Sequence, residues 1–181
     1  MSNNFLSVRE LQEQDISSIA KYWLESDKGY LEAMGVDTSK LPSRNDWTKM
    51  LKEQLSTVMK EKKSYCIIWQ VDDNPVGHCN VNPVLFGKEA YMHLHLWNMG
   101  EREKGFGTEL IKMTVPHFFE NLQLEQLYCE PNALNPSPNR ALEKVGFEFV
   151  KKYITTPSPI TYEQPVNRWK LSYGRYKNLY K

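Results

Sequence analysis

The sequence lacks any excess of charge and any long apolar run. Its 23 Lys and Arg residues nearly balance its 22 Asp and Glu residues, and the formal net charge is +1. This balance gives no reason to expect nucleic acid or a membrane surface as a partner. No segment approaches the ~20 apolar residues that a membrane span needs, and the N-terminus lacks the features of a secretory signal. We therefore expect a cytoplasmic protein without nucleic-acid or membrane partners.

Cysteine is scarce as well, with only Cys66, Cys79 and Cys129 in 181 residues. The number is odd, and the spacing fits neither a disulfide framework nor a zinc motif. We predict buried, reduced thiols. The pair His93 and His95 could supply two metal ligands, but a zinc site needs at least one more ligand at a matching position, so we expect no metal.

The composition is that of an ordinary globular protein. Hydrophobic residues make up 40% and charged residues 25% of the chain, which predicts a full core. At this length we expect a single domain over residues 1–181. Early hairpins followed by strand–helix–strand–helix–strand predict an α/β fold with a mixed (α+β) sheet. The predicted strands are 5–11, 64–71, 76–85, 90–97, 126–130, 147–154 and 166–173.

Helix signals lie between these strands. Asp15 is placed to cap the first helix, and Asn45 or Asp46 to cap the second. Pro116 falls inside the third helix, where it predicts a kink or an irregular turn. The predicted helices are 16–26, 45–60, 110–122 and 139–145.

The segment between the fourth predicted strand and the third predicted helix carries the strongest functional signal. It reads R-x-x-G-x-G from Arg102 to Gly107. A glycine-bearing loop at a helix start offers backbone N–H groups and the positive end of the helix dipole to an anion. Gly105 and Gly107 leave the backbone open, and Arg102 and Lys104 add positive charge. We predict a diphosphate site here.

Two common nucleotide loops do not fit this segment. A Rossmann loop follows an early strand as G-x-G-x-x-G with an acidic residue about 20 positions later, and only two of its glycines are present here. A P-loop reads G-x-x-x-x-G-K-[ST], which the run from Gly100 to Thr108 does not match. The diphosphate of a different cofactor is therefore expected.

A second motif follows downstream. Asn135 precedes a short predicted helix that ends in L-E-K-V-G-F at Leu142–Phe147. The two motifs, in this order, resemble the acetyl-CoA-binding region of the GNAT superfamily of N-acetyltransferases. The resemblance covers roughly residues 5–173. It implies a mixed α/β sheet of about seven strands with flanking helices and a splayed central strand pair.

The same resemblance implies acetyl-CoA as the co-substrate. The pantetheine arm would lie between the strands 91–97 and 126–130 and take backbone hydrogen bonds as an added strand does. The diphosphate would rest on the N–H groups that begin the following helix, and the segment after Asn135 would pass near the thiol. The residues implied to bind the cofactor are Leu96, Trp97, Arg102, Lys104, Gly105, Phe106, Gly107, Thr108, Asn135 and Asn139.

Acyl transfer to an amine needs a group that removes a proton from the attacking nitrogen. His93 suits this role because histidine titrates near neutral pH, and strand alternation places it on one face with His95. Glu130 ends the neighbouring strand, across the splay. The pair of His93 and Glu130 resembles the catalytic pair of hydroxamate-siderophore lysine acyltransferases, and the acidic position resembles that of some aminoglycoside N-acetyltransferases. We predict His93 and Glu130 as catalytic. His95 is a second candidate base whose role stays open, and packing is the favoured interpretation because it lies nearer the pantetheine.

The position of Leu142 departs from the family pattern. Many relatives carry a tyrosine there that protonates the leaving thiolate. The acid is therefore either another residue or unnecessary, since a thiol of pKa about 8.5 is a tolerable leaving group as its anion.

Acceptor recognition is expected from the loops 26–44 and 155–167. We favour a small-molecule amine of the aminoglycoside or hydroxylysine type. A protein N-terminus stays open because the L-E-K-V-G-F end also resembles ribosomal-protein N-terminal acetyltransferases, and a polyamine stays open too. A non-catalytic acyl-CoA-binding sensor is the alternative from a different class, and homodimers are common in the superfamily. The residues that could hold a cationic acceptor are Asp27, Tyr30, Glu32 and Asp37.

Overall fold

A computed structural model describes residues 4–97 and 105–181 of the chain. Within these residues, one seven-stranded sheet carries helices on both faces. None of the described helices is long and apolar enough to cross a membrane. The strands are β1 (Leu6–Glu10), β2 (Tyr65–Val71), β3 (Asn74–Leu85), β4 (Glu89–Leu96), β5 (Gln126–Cys129), β6 (Glu148–Thr155) and β7 (Gln164–Ser172). The helices are α1 (Ile16–Glu25), α2 (Lys28–Ala33), α3 (Arg44–Ser56), α4 (Phe106–Leu122), α5 (Pro136–Lys144) and α6 (Tyr173–Tyr180).

The sheet has the order β1-β2-β3-β4-β5-β7-β6, and only β4 and β5 pair in parallel. The parallel pairing runs from Glu89 opposite Gln126 to Met92 opposite Cys129 and then stops. β4 continues to Leu96 while it is still paired with β3. The predicted mixed sheet with a splayed central strand pair is confirmed.

Pro131 helps to explain where the parallel pairing ends. Proline lacks a backbone N–H and cannot donate to a strand ladder. Its carbonyl accepts the N–H of Asn167 at 3.1 Å, and the N–H of Ala133 donates to the carbonyl of Pro165 at 2.9 Å. The chain beyond β5 therefore follows β7, and a gap opens between the two central strands.

Strand β2 shows why helices cover both faces of the sheet. All but one of its residues are buried, and their side chains alternate between two apolar clusters. Tyr65, Ile67 and Trp69 pack in the cluster that contains α4, whereas Cys66 and Ile68 pack in the cluster that contains α1 and α3. Because successive strand residues point to opposite faces, a continuous apolar run needs cover on both.

The predicted cap of α1 is wrong. The side chain of Asp15 makes no capping hydrogen bond to the helix. It is buried, and its carboxylate accepts from the guanidinium of Arg9 at 2.6 and 2.8 Å and from the N–H of Gln12 at 2.9 Å. Asp15 therefore closes the turn before α1 and ties it to β1, because a buried carboxylate needs a charged partner.

Helix α3 is capped by Ser43 rather than by Asn45 or Asp46. The Ser43 hydroxyl accepts the N–H of Asp46 at 3.2 Å, and the Asp46 carboxylate accepts the N–H of Ser43 at 3.3 Å. This reciprocal pair is a capping box. The carboxylate that was predicted as the cap is the third residue of the helix, and the helix ends at Ser56.

Helix α4 runs through Pro116 without interruption, so the predicted irregular turn does not form. Proline removes one backbone hydrogen bond from a helix. The neighbouring side chains of Val115, Phe118 and Phe119 are fully buried in the larger apolar cluster, and this burial offsets the loss.

The last two helices also differ from the prediction. α5 begins at Pro136, earlier than expected, because Asn135 caps it. α6 was not predicted, since Tyr176 is its one buried residue. The ring of Tyr176 stacks on that of Phe119 at 4.5 Å between centroids, which fastens α6 to α4.

The two loops predicted to recognise the acceptor pair with each other. Val36 and Thr161 form an isolated antiparallel bridge, and the N–H of Tyr162 donates to the carbonyl of Gly35 at 2.9 Å. Gly35 has a φ of +86°, and a Cβ there would lie 2.1–2.4 Å from the side-chain amide of Gln164. Only glycine allows this close approach, so Gly35 holds the two loops together.

We expect Gly35→Ala to destabilise the fold more than Gly87→Ala does. Gly87 also has a positive φ, of +74°, but a Cβ there meets nothing within 4 Å. The Gly87 variant should lose about 1–2 kcal/mol of unfolding free energy from backbone strain alone. The Gly35 variant adds the clash with Gln164 and should lose at least about 1 kcal/mol more. Urea unfolding measures both, and equal losses would contradict the close contact.

Candidate active site

A cavity of about 430 Å³ lies where β4 and β5 separate. It is lined by Met92 and Cys129, the last residues that the two strands pair, and by His93 and Glu130, which follow them. Its other walls come from α1, α3, β3 and the two paired loops. The two residues predicted to be catalytic therefore line the same cavity.

Glu130 is held by two partners that the sequence analysis missed. Its side chain is 9% exposed, and it accepts from the guanidinium of Arg168 in a short ion pair and from the Tyr153 hydroxyl at 2.5 Å. Burial and the Glu130 carboxylate together raise the pKa of Tyr153 to about 12, so this hydroxyl stays a donor. Arg168 also lies over the rings of Tyr91 and Tyr128. Glu130 is thus a fixed carboxylate with a compensated charge.

His93 has a defined tautomer. Its Nε2 lies 2.8 Å from the carbonyl oxygen of Asn82, which can only accept, so the ring proton is on Nε2 and Nδ1 carries the lone pair. Burial lowers the pKa of His93, while the hydrogen bond to Asn82 and the charge of Glu130 oppose this shift. His93 is therefore neutral near pH 7 and can take a proton at Nδ1.

His95 belongs to a cluster of aromatic rings. It stacks on His78 at 4.6 Å between ring centroids and meets the ring of Trp23 at 4.8 Å. His78 Nδ1 accepts the indole N–H of Trp97 at 2.7 Å. Burial lowers the pKa of His78 to about 3 and the pKa of His95 well below 6.5. Both rings are neutral, and His95 packs as expected.

The edge of β4 beyond Met92 faces the gap between the central strands. The N–H of Trp97 donates to the carbonyl of Val76 at 2.8 Å, so the backbone groups of Trp97 point toward β3. Backbone direction alternates along an antiparallel ladder, and Leu94 and Leu96 therefore point toward the gap. The prediction for Leu96 fits this geometry. The predicted contact from the N–H of Trp97 does not, and Leu94 has the required direction instead.

The start of α4 leaves room for an anion. Gly105 has a φ of +80° and precedes the helix without a side-chain cap. A Cβ on Gly105 or on Gly107 would meet no atom of the described residues within 4 Å. The dipole of α4 favours negative charge at this end. This geometry fits the predicted diphosphate site. The two cations predicted beside it, Arg102 and Lys104, lie outside the described residues.

Most of the chain, residues 6–148, matches the family model described as an acetyltransferase (GNAT) domain. The chain belongs to the GNAT family of acetyltransferases. This membership confirms the predicted family and enzyme class. No curated protein matches the GNAT chain in sequence.

Three solved structures share this GNAT fold over nearly the whole chain. RimL, a ribosomal alpha-N-protein acetyltransferase, is 13% identical with a TM-score of 0.76, over 96% of this chain and 97% of its own. A spermidine N-acetyltransferase from Vibrio cholerae, in complex with CoA and spermine, is 16% identical with a TM-score of 0.76, over 96% and 98%. The aminoglycoside acetyltransferase AAC(6')-Ib is 16% identical with a TM-score of 0.72, over 98% and 100%. All three are complexes with coenzyme A, in agreement with the predicted co-substrate.

Two asparagines that were predicted to contact the cofactor stabilise the GNAT fold itself. Asn135 caps α5 by accepting a backbone N–H of its first turn. The Nδ2 of Asn139 donates to the carbonyls of Asn132 and Asn135. Its Oδ1 accepts from the side chains of Asn167 and Trp169. All four hydrogen bonds of this buried amide are then used, so the side chain of Asn139 has none for a cofactor.

The carboxylates that were predicted to hold a cationic acceptor are used within their own loop. Asp27 caps α2 by accepting a backbone N–H at 2.8 Å. Asp37 pairs with Lys40 at 3.3 Å, and Glu32 pairs with Lys28 at 3.6 Å. None of the three lines the cavity. Their expected role in binding the acceptor stays a prediction, and each already has a partner within its own loop.

The thiols of the GNAT chain lie in the core. Cys66, Cys79 and Cys129 are free and buried, as predicted, and burial raises the pKa of each thiol. Within residues 4–97 and 105–181, no group of three or more His, Cys, Asp or Glu side chains is arranged to hold a metal ion.

We expect Gly107→Leu to weaken coenzyme A binding without harming the fold. Gly107 lies in the first turn of α4 with open space beside it, so a side chain would enter the room that a diphosphate needs. The expected loss is about 1–3 kcal/mol of binding free energy, measured by calorimetry. Gly174→Leu is the matched control, because Gly174 also opens a helix and has nothing within 4 Å. Equal affinities in both variants would remove this loop from the site.

We expect the unfolding free energy to fall as the pH drops below about 6.5. The folded state holds His78 neutral down to about pH 3, while the unfolded chain takes up the proton near pH 6.5. The unfolded state then binds more protons, and stability is lost at about 1.4 kcal/mol per pH unit for each such histidine. The His78→Gln variant keeps an acceptor for Trp97, and its unfolding free energy, measured with urea, should fall less steeply with pH below pH 6 than that of the wild type. Above pH 7.5 the two proteins should show the same dependence on pH, which is the control. The same dependence at all pH values would contradict the burial effect.

Proposed function

We propose that the chain transfers an acetyl group from acetyl-CoA to a primary amine of a small molecule. The observation that carries this proposal is the single cavity in which the strand gap, His93 and Glu130 meet. Acetyl-CoA is supported as the donor by family membership and by the coenzyme A that the three similar structures contain. The pantetheine arm would bind along β4 at Leu94, and the diphosphate would bind at the start of α4.

The proposed reaction is a direct attack by the amine on the thioester. The nitrogen forms a bond to the acetyl carbon, the carbon–sulfur bond breaks, and the thiolate of coenzyme A leaves. The proton of the amine goes to Nδ1 of His93, directly or through water, since this nitrogen carries the lone pair. The carboxylate of Glu130 stabilises the imidazolium that forms, because its charge already raises the pKa of His93.

The leaving thiolate needs no dedicated acid in this proposal. Leu142 is fully buried at the position where many relatives carry a tyrosine. A thiol of pKa about 8.5 departs as its anion and takes a proton from solvent afterwards.

The protein N-terminus is the second candidate acceptor. RimL and the spermidine enzyme have the same TM-score with this chain, so the overall fold does not separate a protein substrate from a small one. We favour the small molecule because residues of both paired loops line the cavity, which limits the room for a folded protein substrate. An N-terminal peptide acetylated faster than every small amine would reverse this preference.

We expect His93→Gln to lower kcat/KM by about 10²–10⁴-fold, the usual contribution of a general base. In the wild type, kcat/KM should fall as His93 becomes protonated, at a pH below 6.5, and this acid limb should vanish in the variant. His117→Gln, on α4 and outside the cavity lining, is the matched control and should retain full activity. The kcat/KM of the wild type and of both variants is measured by following thiol release from acetyl-CoA.

Glu130→Gln tests the electrostatic role of the carboxylate. Because the charge of Glu130 raises the pKa of His93, its removal should move the acid limb of kcat/KM to lower pH. A purely structural role would leave the limb in place. If His93→Gln and Glu130→Gln both keep the wild-type kcat/KM, another group accepts the proton. If the wild type binds acetyl-CoA but acetylates no amine, the chain is a sensor rather than a transferase.

A further inference from the structure

Large apolar side chains from helices and loops form one part of the cavity lining. α1 contributes Trp23, α3 contributes Trp47 and Met50, and the paired loops contribute Met34 and Ile160. The rings of Trp23 and Trp47 stack nearly parallel, 5.6 Å between centroids with 8° between their planes. We call these five side chains the aromatic wall, after its two stacked indole rings. Because the strand gap is assigned to the cofactor, the aromatic wall is the part of the cavity left for the acceptor.

No uncompensated charge lines this cavity in the part of the chain that the structure describes. Glu130 is paired with Arg168, and Lys40 is paired with Asp37. The histidines and cysteines of the lining are neutral near pH 7, since burial disfavours their charged forms. An additional ammonium on the acceptor would lose its hydration here without gaining a counter-charge, which is unfavourable.

Trp47 contributes its indole ring to the aromatic wall. Its indole N–H is the one buried side-chain polar group without a hydrogen-bond partner in residues 4–97 and 105–181. This nitrogen is itself buried, so the surface that Trp47 offers to a molecule in the cavity is its ring rather than its N–H.

We propose that the acceptor is a primary amine attached to an otherwise uncharged aromatic group that packs on the aromatic wall. This inference rests on the amine acetylation proposed above and narrows its acceptor. 2-Phenylethylamine and tyramine, which adds a ring hydroxyl, represent the class. Polyamines and aminoglycosides carry further ammonium groups that the wall does not compensate, so the aminoglycoside type expected from the sequence is a poor match. An aromatic ring on the acceptor could pack in a stacked or edge-on arrangement against the rings of Trp23 and Trp47, which are the arrangements that aromatic pairs prefer.

The first test compares kcat/KM for 2-phenylethylamine, tyramine, propylamine, spermidine and an aminoglycoside, with thiol release from acetyl-CoA as the readout. We expect the two aromatic amines to exceed the other three by at least about 30-fold, because only they bury a ring. Higher kcat/KM with spermidine or the aminoglycoside overturns this inference and leaves the acetyltransferase proposal standing. Equal kcat/KM with propylamine shows that the wall does not bind a ring. Turnover of no amine at all overturns both proposals.

The second test moves a charge into the wall. Met50 on α3 and Met113 on α4 are both partly exposed, at 48% and 39%, and only Met50 lines the cavity. Met50→Glu should raise the ratio of kcat/KM for spermidine to that for 2-phenylethylamine by about tenfold, since the new carboxylate offers a counter-charge. Met113→Glu is the matched control and should leave the ratio unchanged. An unchanged ratio in Met50→Glu, with the fold intact by circular dichroism, overturns the assignment of this wall to the acceptor.

Discussion

The parallel strands β4 and β5 share hydrogen bonds only as far as Met92 and Cys129, and the site is arranged around that limit. Beyond it, Pro131 cannot donate to a ladder, and its chain follows β7. His93 follows Met92 on β4, and Glu130 follows Cys129 at the end of β5, so both residues lie where the pairing ends. Backbone hydrogen bonding thus positions the proposed cofactor groove and the proposed proton acceptors together, before any side-chain contact contributes.

Burial then decides the charge of each group around the opening. A histidine in an apolar environment stays neutral, which is the form that accepts a proton. Arg168 and Tyr153 supply the hydrogen-bond and ion-pair partners that the buried carboxylate of Glu130 needs. The cavity thereby combines a neutral base with a nearby carboxylate whose charge is paired with Arg168. In low dielectric, that charge acts on the base more strongly than it would in water.

Local patterns were enough to predict the sheet and the family, but not the partners of the site residues. Apolar alternation and short motifs are properties of neighbouring residues, and the predicted sheet and family are confirmed. Tyr153 and Arg168 lie 23 and 38 residues from Glu130 and reach it only through strand pairing, which spacing does not reveal. Asp15 was assigned to a helix cap by its residue type, and Asn139 was assigned to the cofactor by the family resemblance. Both are buried, and their polar atoms are used inside the fold.

The bridge between Val36 and Thr161 has a consequence for how acceptor preference can change. Two stretches that are far apart in sequence form one surface, and Gly35 and Gln164 fix their separation. The free-energy changes caused by substitutions at residues in contact are not additive, so the effects of changes in the two loops will depend on each other. Divergence toward a new acceptor then proceeds through matched changes in both stretches. A single loop transplanted from a relative would bring half of this paired surface and lose its contacts with the other half.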